Sequence, residues 1–293
     1  MKAPAFDYIR ARSLDEVFRL LKQHGDDARV LAGGQSLLAT LNMRLSEPAL
    51  LIDIIGLEAL QGISVRGSVL RIGALATHRE IEGSELVSRH APLLTMAAPH
   101  IAHRAIRNRG TWGGSIAYGD PAAEWPACLI ALEGTVVVRG EAGERRIAAT
   151  DFFIDLYTTA LAEGEIVVGC DIPLSQSDDV FVFDELARRH GDYAVAGVAL
   201  SARRAAGGLQ RVRLAFLGIG TTPIRVPRAE ALLEGQAMSP ALVDRAVAMI
   251  DNELEPLADL THTSNTKRHL ACVLARRALG TACPESLAVK RAA

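Results

Sequence analysis

Aromatic side chains are scarce in this sequence of 293 residues: seven Phe, four Tyr and two Trp, 4% in all. That scarcity argues against the stacked platforms that hold single-stranded nucleic acid. An excess of either charge is missing too. Lys and Arg number 32 against 34 Asp and Glu, a formal net charge of −2, so no basic surface calls for nucleic acid or an anionic membrane. No apolar run approaches the roughly 20 residues that span a bilayer. The opening Met1-Lys2-Ala3-Pro4-Ala5-Phe6-Asp7 lacks the apolar centre of a signal peptide, and the expectation is a cytoplasmic protein. The four cysteines, Cys128, Cys170, Cys272 and Cys283, contain no C-x-x-C pair, which argues against a zinc site or an iron–sulfur cluster built by this chain alone. Cys272 and Cys283 are near enough in sequence to pair, but isolated thiols in a reducing compartment are the reading adopted. Hydrophobic residues make up 49% and charged ones 23%, the balance of a folded chain of two or three domains.

Periodicity divides the chain. Ser13 and Glu16 form a capping-box pattern ahead of Leu14, Val17, Phe18 and Leu21, one apolar helical stripe that Gly25 ends. Strands are expected around residues 6–9, 28–31 and 50–54, with a helix from Leu37 to about Arg44, which gives a β-α-β-α-β unit. A hairpin turns at Arg66-Gly67-Ser68, and helical material interrupted by Pro92 and Pro99 fills 77–107. Strands follow at 135–139 and 165–172, and polar Gln176-Ser177-Asp178-Asp179 marks a boundary. Beyond it lie strands at 180–187, 195–202 and 209–218, then helices at 240–250 and 266–279. The expected divisions are 1–56, 57–176 and 177–293.

Two glycine loops carry the chemistry. Ala32-Gly33-Gly34-Gln35-Ser36 follows a strand and opens a helix at Leu37, the placement in which backbone N–H groups face an anion. A plain tight turn is the alternative for one Gly-Gly pair. The spacing is neither G-x-G-x-x-G nor the lysine-bearing phosphate loop, which disfavours both familiar nucleotide folds. Thr111, Gly113, Gly114 and Ser115 repeat the theme, and two such loops suit a diphosphate held from both sides. Asp120 and Glu124 are spaced to accept from ribose or ribityl hydroxyls, or to cap the helix near Glu124.

The runs Ala32-Gly33-Gly34-Gln35-Ser36-Leu37-Leu38, Ile106-Arg107-Asn108-Arg109-Gly110-Thr111-Trp112-Gly113-Gly114-Ser115 and Asp120-Pro121-Ala122-Ala123-Glu124 resemble the FAD-binding medium subunits of molybdenum hydroxylases, the family of xanthine dehydrogenase and aerobic carbon monoxide dehydrogenase. The similarity extends to Gly164-Glu165-Ile166-Val167, to the stretch from Ala187 to Ala194, and to Lys267-Arg268-His269-Leu270. It implies an α+β fold: a two-lobed FAD-binding domain of the PCMH / vanillyl-alcohol-oxidase-like type and a small C-terminal α/β sandwich domain. It further implies pyrophosphate on residues 32–36 and 111–115, cofactor contacts from Glu124 and from Ile166 or Val167, and Tyr193 near the isoalloxazine ring. The expected function is FAD-carrying electron transfer. Electrons would come from [2Fe–2S] clusters of a small subunit after hydroxylation at a molybdopterin site in a large one, the three chains forming a dimer of heterotrimers. The run 103–124 looks closest to medium subunits acting on N-heterocycles. A stand-alone FAD-dependent oxidase or reductase of the same fold is the alternative, although the C-terminal part is small for a substrate domain.

Two departures stand out. Many relatives carry a lysine where this chain reads Phe183-Asp184-Glu185-Leu186, and position 35 is Gln, so no nucleophile is offered for a covalent flavin link and noncovalent FAD is expected. His100 and His103 are placed on one helix face without a third metal ligand and are read as solvated or interfacial. Arg104, Arg107 and Arg109 are either a solvated face, a docking surface or help for the FAD phosphate.

Overall fold

In the computed structural model, residues 2–206 and 208–284 are described; the tail 285–293 of the expected C-terminal domain lies outside them. Ser13 opens the first helix, Leu14–His24, by accepting from the Glu16 N–H at 3.2 Å, and Gly25 ends it at φ +49. The Glu16 carboxylate accepts from the Arg12 N–H rather than from Ser13, one residue off a true capping box. Val17, Phe18 and Leu20 fill the core beneath. This helix is one of two crossovers in a parallel sheet whose strands lie in the order Asp7–Arg10, Leu50–Asp53, Ala28–Leu31. Parallel neighbours cannot be joined by a tight turn, so the second crossover, from Leu31 to Leu50, has room for a functional loop.

A five-stranded antiparallel sheet follows, ordered Ile63–Arg66, Val69–Gly73, Ile166–Pro173, Thr135–Gly140, Gly143–Ala148. Short helices span the interval between its second and fourth strands. The edge strand Gly143–Ala148 has no counterpart in the periodicity, because Glu144, Arg145 and Arg146 all face water.

The third sheet is antiparallel, Asp179–Ala187, Ala194–Ala205, Gly208–Leu217 and Ile224–Arg225. Period-two alternation gives it two apolar faces. Val182, Val198, Leu200, Leu214 and Phe216 pack on the helices Pro227–Leu233, Pro240–Glu253 and Ser264–Ala282, while Phe183, Ala199, Ala215 and Leu217 join the cluster of Trp125 and Leu129 in the N-terminal part. One backbone bond crosses the same seam, and a buried lysine braces its C-terminal side. The Gly218 N–H donates to the Pro121 carbonyl at 2.8 Å, and buried Lys267 donates to the Gly218 carbonyl at 2.9 Å while pairing with Asp259. The mixture of separate sheets and helices is the expected α+β class. Among the described residues no helix is long and apolar enough to cross a membrane, and the four cysteines are free thiols.

Candidate cofactor site

Strand Ala28–Leu31 delivers the chain into the first glycine loop, where Gly34 takes φ +73, a conformation costly for any other residue. Gln35 Nε2 donates to the Gly33 carbonyl at 3.0 Å and braces the turn. Ser36 precedes the helix Leu37–Asn42 without capping it through its side chain. Among the described residues, the N–H groups of Gly33, Gly34, Gln35, Ser36 and Leu37 find no protein acceptor. Five consecutive donors are thereby left available to a ligand.

The second loop is built differently. Its Trp112 and Gly113 N–H groups donate to the carbonyls of Ala76 and Ala74, both at 2.8 Å, and the His78 N–H donates to the Gly110 carbonyl at 3.0 Å. Thr111 Oγ1 caps the helix Trp112–Tyr118 by accepting from the Gly114 N–H, and the Ser115 N–H donates to the Thr111 carbonyl. These amides are already engaged, so the loop offers an anion its Thr111 and Ser115 hydroxyls and a fixed position. Gly113 is fixed tightly: an added Cβ would lie 2.5 Å from that of Ala74.

The fold brings the two loops together. A Cβ on Gly33 would fall on the Arg109 carbonyl oxygen and lie 2.9 Å from the Gly110 Cα, and one on Gly114 would sit 3.9 Å from the Ala32 Cβ. Backbone therefore meets backbone here with no space for a side chain.

Beyond the second loop, Asp120 accepts from the Ala122 N–H at 2.9 Å, and burial raises its carboxyl. Glu124 begins the helix Glu124–Ala131 and is buried; desolvation first, then the charges of Glu185 and Asp120, push its carboxyl up to about 8. A carboxyl raised on folding gives stability that is present below the ordinary value of 4.5 and lost as pH rises through about 8. Glu124→Gln, neutral throughout, should flatten the fall in unfolding free energy of the cofactor-free protein across that window, by up to about 1.4 kcal/mol per pH unit, read by denaturant unfolding at each pH. Equal slopes in the two proteins would show that Glu124 is ionised in both states.

Tyr193 is 65% exposed. Its phenol and those of Tyr118 and Tyr157 are raised, by burial first and then by the charge of Asp120, and the Tyr118 and Tyr157 rings are 5.0 Å apart. Sequence reasoning missed Tyr118 and Tyr157. The available signal was rarity: three of only four tyrosines gather around one carboxylate. Ile166 and Val167 are strand residues buried in the cores and paired with Arg139 and Val138; this strand reaches the loops through Val168, whose carbonyl accepts from the Ala74 N–H.

Several expectations need correction. His100 and His103 share no helix face, since His103 lies outside the short helix Arg104–Arg107. His100 faces Glu185 at 3.5 Å and the Phe183 ring, and His103 meets His190. The arginine cluster divides. Arg104 and Arg109 are exposed, whereas Arg107 is buried, paired with Glu82 at 2.9 Å and donating to the carbonyls of Ile101 and Ala102 at 3.0 and 3.1 Å. In the stretch 183–186, Asp184 is paired with Arg277 at 3.1 Å.

The free amides, the side-chain-free contact at Gly33 and the tyrosines near a carboxylate are chemically suited to a dinucleotide cofactor. Residues 4–175 match the family model for the FAD binding domain in molybdopterin dehydrogenase, and residues 181–282 match that for the CO dehydrogenase flavoprotein C-terminal domain. The chain is 37% identical to the 6-hydroxypseudooxynicotine dehydrogenase complex subunit alpha of Paenarthrobacter nicotinovorans, over 96% of each chain. Among solved structures, it is similar to carbon monoxide dehydrogenase of Hydrogenophaga pseudoflava (TM-score 0.95, 37% identity, 97% of this chain and 99% of that one). It is also similar to quinoline 2-oxidoreductase of Pseudomonas putida 86 (TM-score 0.92, 35% identity, 98% and 99%).

Proposed function

The chain belongs to the family of FAD-binding subunits of molybdopterin dehydrogenases, and from that premise we propose that residues 32–37 hold the FAD diphosphate through their N–H groups. Its function is that of the FAD-carrying subunit of a molybdenum hydroxylase. Bound FAD would take electrons singly from an iron–sulfur neighbour and release them singly or in pairs. The chain's own residues do the rest. Thr111 and Ser115 supply hydroxyl donors, Gly113 and Gly114 keep the second loop close, and Asp120 and Glu124 accept from or donate to cofactor hydroxyls. Tyr193 shields one side of the ring from solvent. The observation that carries this reading is the set of five acceptor-free amides at the point where both loops meet.

The assembly we propose contains a small [2Fe–2S] subunit and a large molybdopterin subunit, doubled into a dimer of heterotrimers and located in the cytoplasm. The substrate is a small molecule of the N-heterocycle, aldehyde or CO class, in keeping with the names of the nicotine-derived, glyceraldehyde and carbon monoxide dehydrogenase relatives. The test is purification of the tagged chain from cells also expressing its genomic neighbours. Oxidised-flavin absorption together with iron and molybdenum at fixed ratios to protein is the expected result. Flavin without either metal would favour a stand-alone oxidase, and no flavin would remove the assignment.

A further inference from the structure

The junction of the loops rests on a buried histidine. His78 begins the helix His78–Glu82, behind the Thr77–Glu80 capping box, and its ring is buried under the second loop. Trp125 Nε1–H donates to His78 Nδ1 at 2.9 Å within the core. Nδ1 is thereby the acceptor, and the ring proton belongs on Nε2. Nε2 faces Gly110 so closely that a Cβ there would lie 2.6 Å away. Gly33 also packs on Gly110, whose Cα would lie 2.9 Å from a Cβ on Gly33, and the Gly110 carbonyl accepts from the His78 N–H at 3.0 Å. Trp125 is itself seated against Trp112, ring centres 5.3 Å apart. First loop, second loop, imidazole and indole thus form one continuous stack.

We infer that His78 is a positioning residue for the cofactor: as the neutral Nε2–H tautomer locked by Trp125, it sets the height of Gly110 and so the spacing between the two loops. This rests on the FAD reading above. The groups around the ring agree with a neutral imidazole. Arg107 on the helix Arg104–Arg107 repels a proton, its partner Glu82 is spent on Arg107, Glu80 is spent on the Thr77 cap, and Trp125 and Gly110 carry no charge. Burial first, then Arg107, lower the His78 value from 6.5 to about 4. Protonation would also set Nδ1–H against the indole N–H, two donors facing each other.

The test is FAD affinity of the purified chain, by quenching of flavin fluorescence, alongside melting of the cofactor-free protein and the imidazole nitrogen shifts. His78→Leu leaves the indole N–H without an acceptor and should weaken FAD roughly tenfold or more. His78→Asn keeps an acceptor near Nδ1 and should recover most of that loss. Gly110→Ala should weaken FAD strongly beside His78, and much less in the His78→Ala background, where the clashing ring is gone. Nitrogen shifts should report the Nε2–H form. Equal effects of Gly110→Ala in both backgrounds, or a His78→Leu protein that melts lower yet binds FAD as tightly, would overturn the inference while leaving the FAD reading intact. Absence of FAD binding by the unaltered chain would overturn both.

Discussion

Gly33→Val should leave a folded chain that has lost its flavin. The added side chain is driven into the Arg109 carbonyl and against the Gly110 Cα, and backbone on both sides leaves nothing soft to yield. Overpacking of this kind costs about 1–3 kcal/mol in an ordinary core. Here the strain is relieved by parting the loops, so the loss falls on the ligand: FAD affinity should drop at least ~100-fold, about 2.7 kcal/mol. Gly114→Ala is the milder case, since its new Cβ lies 2.8 Å from one side-chain atom, Thr111 Oγ1, whose shift costs the cap on the Gly114 N–H but moves no backbone, and an ordinary 3.9 Å from the Ala32 Cβ. Flavin content after purification and a titration of the stripped protein measure both. Stoichiometric flavin in Gly33→Val would mean that the diphosphate lies elsewhere.

Arg107→Leu should produce the largest loss of stability among the arginine variants. The guanidinium pairs with Glu82 and ties down the carbonyls of Ile101 and Ala102, and Ala102 sits at φ +44, a strained setting for an alanine. Removing one partner of a buried pair costs about 3 kcal/mol or more, which lowers the melting temperature by roughly 5–10 °C in a chain of this size. Arg104→Leu, exposed on the same short helix, should stay within about 0.5 kcal/mol. Similar melting curves for the two variants would return Arg107 to the solvated face from which the structure removes it.

The parts of the site legible in the sequence were those fixed by local backbone chemistry. A Gly-Gly pair between a strand and a helix marks a tight turn wherever the rest of the chain goes, and Ser13, Gly25 and Pro240 mark helix ends by their own geometry. What was hidden depended on distant partners. Whether an amide of the second loop is free depends on Ala74 and Ala76, which no spacing rule connects to Trp112 and Gly113. The burial of Arg107 depends on Glu82, and the convergence of Tyr118, Tyr157 and Tyr193 depends on segments from three parts of the chain. The strand Gly143–Ala148 was invisible for another reason: an edge strand in water needs no apolar alternation, and its Glu-Arg-Arg run reads as a turn.

The C-terminal sheet is covered on both faces. Phe183, Ala199, Ala215 and Leu217 are pressed against the N-terminal core, while the Gly218 N–H, in a turn whose carbonyl is braced by Lys267, donates to the Pro121 carbonyl across the seam. Opening the chain between its two parts would wet an entire apolar face, so the seam resists separation. The C-terminal sheet thereby serves as a fixed wall for the N-terminal core rather than as a lid over it.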